Sequence, residues 1–393
     1  MEKKTSLFEI LWTSIKLGLT SFGGPVAHLG YFKEEYVDKK KWLNDKLYAD
    51  IIALCQFLPG PASSQVGIAI GMLRGGLLGG IASWFGFTIP SVIVLIVFAL
   101  LFQTFTLGDA NFISSLKIVA VAVVAHAILG MSRKLTPDKP RIAMALAALF
   151  ILLIFPSAWM QIAVIIGAAI LGYFMFTKEA QSKLQPIKVT ITKTQGIISF
   201  SILMILLIGL PILSQFTTNT YVNIFDMFFR VGAIVFGGGH VVLPLMEQQV
   251  VPTGLLTSSE FLAGYGMANA VPGPLFTFSS YIGTMISGVL GGIIATIAMF
   301  LPSFLLVVAA LPFLGELRSR PGFQGILAGV NASVVGILLA AFYDPVFTSG
   351  IQNGMDFALA AILFALLSFW KKPAWMIVII GIILGEVMHI IFI

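Results

Sequence analysis

The run Ile198–Phe216, ISFSILMILLIGLPILSQF, carries no charged side chain, and neither does Ile89–Phe102, IPSVIVLIVFALLF. Continuous apolar runs of this kind read as membrane-spanning helices. A membrane strand would instead alternate apolar and polar positions over about ten residues. Composition agrees: 58% of the chain is hydrophobic and 10% is charged, against about 25% charged in soluble domains. Too few polar groups exist to cover a water-facing surface. The chain is expected to be an all-α polytopic membrane protein. A single cysteine, Cys55, excludes a disulfide framework and a cysteine-based metal site. The start, MEKKTSLFEI, has no small-residue cleavage site and reads as the beginning of a first span. The net charge of +6 suits Lys and Arg held in cytoplasmic loops better than a nucleic-acid partner.

The apolar parts are interrupted in a patterned way. QFLPGPASSQVG, residues 56–67, places two prolines and a glycine between apolar runs, and NAVPGPLFTFSS, residues 269–280, repeats the break. KLGLTSFGGPVAHLGYFKEEYV (16–37) aligns with RVGAIVFGGGHVVLPLMEQQVV (230–251), and GGLLGGIASWFGFTIPS (75–91) with SGVLGGIIATIAMFLPS (287–303). The chain is therefore an internal duplication. Each copy reads as about six membrane elements, with one further apolar segment at 195–215 between them. The expected division is 1–177 for the first repeat, 178–220 for a cytoplasmic loop and linking span, and 221–393 for the second. Six elements plus one put the second repeat in from the opposite side. This predicts two inverted-topology repeats and about thirteen crossings. Basic clusters at 133–141, 178–193 and 316–320 lie on the predicted inner side, and Asp109, Asp344 and Asp356 on the outer. Spans 142–155 and 157–176 are short enough to form a shallow hairpin instead.

A broken helix in a bilayer frees backbone groups that lipid cannot satisfy, so it must lie within protein or line a wet cavity. Inverted-repeat transporters place such half-helix ends at mid-membrane, where they bind ions. The motifs Pro59-Gly60-Pro61 and Pro272-Gly273-Pro274 each present a helix N-terminus suited to an anion. Ser63, Ser64 and Gln65 add side-chain donors after the first, Thr277 after the second. Gln56 and Asn269 are matched amides before each break. One such motif alone would be read as a packing kink; two at equivalent positions favour a substrate site. Lys16 and Arg230 each lie in an apolar helix six residues before a Phe-Gly-Gly motif, at Gly23-Gly24 and Gly237-Gly238. Ionisable residues in membranes are functional by default, although a long cation can also snorkel. These two are expected to face the interior and attract an anion, with no matching acid in their own helices. His28, Glu34, His240 and Glu247 are candidates for proton coupling, with ordinary interfacial roles as the alternative. No Walker A or HExxH motif occurs, and no cofactor or metal is expected.

FGGPVAHLGYF, QFLPGPASSQVGIAIG, FGGGHVVLPLMEQQVV and NAVPGPLFTFSSYIG resemble the paired signatures of the chromate ion transporter family, long two-domain form, over nearly the whole chain. The resemblance implies a bacterial or archaeal plasma-membrane protein that exports chromate, driven by the proton-motive force and conferring resistance. The expected partners are a small oxyanion, protons and the lipid bilayer; a homodimer is compatible with all of this. Sulfate has chromate's charge and shape, so an importer or exchanger of sulfate or a related oxyanion is the alternative. A membrane-embedded enzyme would need clustered acids or histidines, and the four histidines are scattered. A non-transporting scaffold would gain nothing from duplicated breaks.

Overall fold

The computed structural model describes residues 5–392 except 22–23, 45–46, 49–50, 53, 56–57, 105–110, 178–190, 236–241 and 314–320. Among the described residues every regular element is helical. The first half contains α1 (Leu7–Thr20), α2 (Gly24–Phe32) with a π-helical continuation Lys33–Lys39, α3 (Ala62–Thr104), α4 (Asn111–Leu135), α5 (Lys139–Ile154) and α6 (Ala158–Phe176). A linking helix α7 (Lys193–Gln215) follows. The second half contains α8 (Thr220–Ile234), α9 (Val242–Val250), α10 (Ser258–Ala270), α11 (Phe278–Ala310), α12 (Pro321–Ala341), α13 (Gly354–Ser368) and α14 (Ala374–Phe392). Polar caps fix where several of them begin. Ser6 accepts from Glu9 N–H, and Thr192/Gln195, Thr257/Glu260 and Asn353/Asp356 form capping boxes.

Four stretches have the length and apolar character of a membrane span: 62–104, 114–133, 193–215 and 275–313. The first and last are not straight rods. Inside α3, Gly75 leaves the helical region and Gly76 has φ 65°. Ser83 Oγ then donates to the Gly67 carbonyl at 2.8 Å, sixteen residues back, so limbs 62–74 and 77–104 lie side by side. Inside α11, Ser287 and Gly288 (φ 66°) make the same turn. Limbs can approach this closely because glycines face each other: a Cβ on Gly71 would overlap the Gly79 carbonyl, and one on Gly283 the Gly291 carbonyl. Small residues at the contact are how helices pack where lipid removes the hydrophobic drive.

The short helices also fold back. Beside α1, Lys40 bonds Glu9 at 3.0 Å, Tyr36 Oη lies 3.4 Å from Ser14 Oγ, and Lys16 bonds Glu35 at 2.8 Å. As the sequence number rises on one side of this ladder it falls on the other. α1 and the α2–π segment are therefore antiparallel limbs of a hairpin. α10 likewise runs antiparallel to the start of α11, with Tyr281 Oη donating to the Glu260 carbonyl at 2.9 Å and Phe261 packed on Phe278. The α1 helix has 14 residues, about 21 Å at 1.5 Å per residue, against a hydrocarbon core of about 30 Å. α5 and α6 run antiparallel, with Arg141 near the start of α5 lying over the Phe176 ring at the end of α6.

The halves interlock. Limb 77–104 runs antiparallel to its sequence counterpart in α11: Trp84 meets Phe300, Ile96 meets Gly292, and Gln103 Nε2 donates to the Met285 carbonyl at 2.9 Å. α4 packs on the second half, through Lys117 to Ser259 at 2.7 Å and His126 to Ser368 at 2.9 Å. α12 packs on α5 and α6 of the first half, with Gly336 against Ala145 and Gly329 against Ala168.

Gly283→Ala should separate the α11 limbs and lower stability by about 1–3 kcal/mol, the usual cost of overpacking. Gly209→Ala in α7, where a Cβ meets nothing within 4 Å, should be neutral or mildly stabilising. Thermal unfolding of the purified variants in detergent checks both.

Candidate functional site

Each Pro-Gly-Pro tip is held by the other half of the chain. Gly60 N–H donates to the Val235 carbonyl at 2.5 Å, and Gly273 N–H donates to the Ser21 carbonyl at 2.8 Å. Val235 and Ser21 are the C-caps of α8 and α1, the helices that end at the two Phe-Gly-Gly motifs. The tip glycines have φ 117° and 102°, a region other residues rarely adopt. A Cβ on Gly60 would overlap Ser303 Oγ, and one on Gly273 would overlap Ser91 Oγ. These serines are counterparts, the last residues of the aligned TIPS and FLPS stretches. Ser91 Oγ also donates to the Pro272 carbonyl. Ser91 lies near the middle of limb 77–104, about 20 Å from each end.

A chain of contacts joins the two tips. Gly273 lies against the Phe87 carbonyl. The Phe87 ring meets His28 edge-on, and His28 Nδ1 lies 3.1 Å from Ser63 Oγ, just beyond Pro61. Ser63, Ser64 and Gln65 are all buried in the first turn of α3. Gln65 Nε2 turns back to the Pro59 carbonyl at 2.6 Å and braces the tip. The second tip is less polar. Thr277 donates to the Pro274 carbonyl at 2.7 Å inside a 3-10 turn that also holds Leu275 and Phe276. Asn269 Nδ2 is spent on the Tyr265 carbonyl at 2.7 Å.

Five buried hydroxyls on these elements, those of Ser21, Ser64, Thr88, Ser279 and Ser303, have no hydrogen-bond partner among the described residues. An unsatisfied buried polar group costs about 1–3 kcal/mol. Hydroxyls can donate to an anion, and the α3 start adds first-turn N–H groups and the positive end of a helix dipole. The arrangement suits a small, multiply hydrogen-bonding anion. Among the described residues no group of three or more His, Cys, Asp or Glu could hold a metal.

The two cations are paired, contrary to the expectation that neither helix carries a matching acid. Arg230 forms a two-pronged bond to Asp226, Nε to Oδ1 at 3.0 Å and Nη2 to Oδ2 at 2.8 Å. Asp226 stands one turn earlier on α8, and its side chain is 4% exposed against 40% for Arg230. Lys16, 51% exposed, reaches the 8% exposed Glu35. Glu34 is elsewhere: it bonds Lys39 at 2.6 Å on the exposed side. Glu247 is half-buried on α9 and Gly24 opens α2. Gln56, Gly23, Gly237, Gly238 and His240 lie outside the described residues. Sequence reasoning missed Ser91 and Ser303 although the aligned repeats contain them. It also missed the Asp226–Arg230 pair, which the i,i+4 rule could have found.

A sequence model described as chromate transporter matches residues 8–173 and 222–386. The chain is 28% identical to a probable chromate transport protein of Synechococcus elongatus, over 97% of this chain and 95% of that protein. It is 24% identical to a chromate transport protein of Pseudomonas aeruginosa, over 93% and 88%. It is 27% identical to an uncharacterized transporter of Methanocaldococcus jannaschii, over 98% and 96%. No solved structure matches.

Arg230→Gln and Asp226→Asn should each destabilise by about 1.5–3 kcal/mol, the range for hydrogen bonds to charged groups. The double variant should cost less than the two singles summed. A double-mutant cycle on unfolding midpoints measures the difference.

Proposed function

Since the chain belongs to the chromate transporter family, a family of transporters rather than enzymes, we propose that it is a secondary transporter exporting chromate, or a similar tetrahedral oxyanion, across a bacterial or archaeal plasma membrane with proton coupling. The observation that carries the reading is the reciprocal docking of the two Pro-Gly-Pro tips, Gly60 on Val235 and Gly273 on Ser21. It brings helix ends and buried hydroxyls to the junction of the two halves. The first tip, with Ser63, Ser64 and the N–H groups after Pro61, is the principal anion contact, and Thr277 and Asn269 line the opposite side. Lys16 and Arg230 set the electrostatic balance around it.

The finer architecture belongs to the same proposal: repeats 1–177 and 221–393, joined through 178–220 and inverted relative to each other. Counterpart limbs 77–104 and 289–310 pack antiparallel, as an axis in the membrane plane requires; an axis along the membrane normal would leave them parallel. Hairpins return the chain to the side it left, so the odd number of spans between the halves is unaffected by them. Rocking one half against the other about the tips would open the site to either side in turn. The donors read charge and shape, which sulfate shares, so the same geometry would also accept sulfate.

Proteoliposomes with an imposed pH gradient should accumulate radiolabelled chromate, and Ser64→Ala with Ser303→Ala should reduce the rate at least about tenfold, as two hydrogen bonds to a charged group are lost. Gradient-independent background flux would contradict the reading. For topology, single cysteines placed in 178–193 should label only from the cytoplasm and those in 344–356 only from outside. Labelling of both from one side would refute inversion.

A further inference from the structure

The duplication supplies an internal comparison for the site. In the register that places Lys16 on Arg230, His28 falls on Val242. In the register of the Pro-Gly-Pro motifs, Ser63 falls on Phe276 and Gln65 on Phe278. Val242, Phe276 and Phe278 are buried together in one apolar core. The fold can therefore be built at these positions without polarity. The first half buries His28, Ser63 and Gln65 there instead, and burying a polar group costs free energy unless it finds a partner.

Two of the three have local partners. Gln65 Nε2 donates to the Pro59 carbonyl at 2.6 Å. At the second tip the matching carbonyl, that of Pro272, is taken by Ser91. With Gln65 in that role, Ser303, the counterpart of Ser91, keeps a free hydroxyl among the described residues. Ser63 Oγ lies 3.1 Å from His28 Nδ1, its only hydrogen-bond partner among the described residues. The hydroxyl is the donor in that bond, which puts the ring hydrogen on Nε2. Nε2 has no partner among the described residues, although His28 is only 1% exposed. The ring stands between the tips. Ser63 is two residues past Pro61, and the Phe87 ring packs edge-on against His28 at 5.4 Å. The Ser21 carbonyl, which takes Gly273 N–H at 2.8 Å, lies close to the ring as well. Among the described residues no carboxylate is bonded to His28, whereas Lys16 and Arg230 each have one.

We infer that His28 is a ligand of the oxyanion, donating Nε2–H to one of its oxygens beside Ser64 and the N–H groups after Pro61. The inference rests on the oxyanion reading above and adds to it a side chain that sets the halves apart. Val242 can offer no such bond, so this contact comes from the first half alone. An imidazole N–H points along one line and fixes where an oxygen must sit. His28 thereby orients a tetrahedral anion that helix ends and hydroxyls attract.

Equilibrium binding of radiolabelled chromate and sulfate to the purified full chain in nanodiscs tests this. His28→Val gives the first half the residue that the second half already packs. Its unfolding midpoint without anion should match or exceed that of the wild type, while its affinity for both anions falls at least about tenfold, as a hydrogen bond to a charged group is lost. Saturating sulfate should raise the midpoint of the wild type and not that of His28→Val at the same concentration. His28→Gln carries an amide nitrogen to about the place of Nε2 and should bind within about threefold of the wild type. His28→Asn reaches only the place of Nδ1, so it keeps a partner for Ser63 and should bind as weakly as His28→Val; it serves in place of that variant if His28→Val fails to fold. His126→Gln, at the Ser368 contact, should leave binding unchanged. Wild-type affinity in His28→Val or His28→Asn overturns the inference and leaves the oxyanion reading standing, and so does a His28→Gln that binds no better than His28→Asn. A wild type that binds neither anion overturns both.

Discussion

A helix interrupted inside a bilayer survives only if protein satisfies the backbone groups the interruption frees. Here that need is met across the duplication. The N–H of Gly60 is satisfied by the end of α8, and the N–H of Gly273 by the end of α1. Neither half could present its tip alone, because the partner carbonyl of each tip lies in the other half. This mutual dependence accounts for the interlocking of the longer helices, α4 against the second half and α12 against the first. It also accounts for the two tip glycines. Positive φ and the closeness of Ser303 and Ser91 leave no room for a side chain.

The same packing concentrates polarity where it is most expensive. Serine and threonine hydroxyls sit buried around the tips without partners among the described residues, while the outward faces of α7 and of limb 77–104 are apolar and exposed. A soluble protein would satisfy such groups with each other. A transporter has reason to leave them for a cargo that arrives and departs. The charged groups follow another rule: each cation in α1 and α8 already has a buried carboxylate. The site's resting field is therefore closer to neutral than the cations alone would make it. Selectivity for an anion must come from hydroxyls, helix ends and whatever displaces those carboxylates.

Much of this was legible in the sequence, and the exceptions have physical causes. The duplication, the two breaks and the all-helical class could be read because glycine, proline and long apolar runs act through local backbone chemistry. The folding of α2 and its π-helical continuation along α1 could not. The stretch 62–104, by contrast, shows its doubling over in Arg74 and Gly75-Gly76, the latter counterpart to Ser287-Gly288. The Lys16–Glu35 pair is nineteen residues apart and forms only because the hairpin closes. Asp226, by contrast, could be read from its spacing to Arg230 on one helix.

The claim on which the account turns is that the docked tips form an oxyanion site. Selenate is a tetrahedral dianion whose selenium scatters anomalously, so crystals of the protein grown with selenate would locate it directly. The account predicts an anomalous peak between the two Pro-Gly-Pro tips, with selenate oxygens about 3 Å from the hydroxyls of Ser64 and Ser303. A peak only at the basic loops, with the tips unliganded at concentrations that saturate transport, would contradict it.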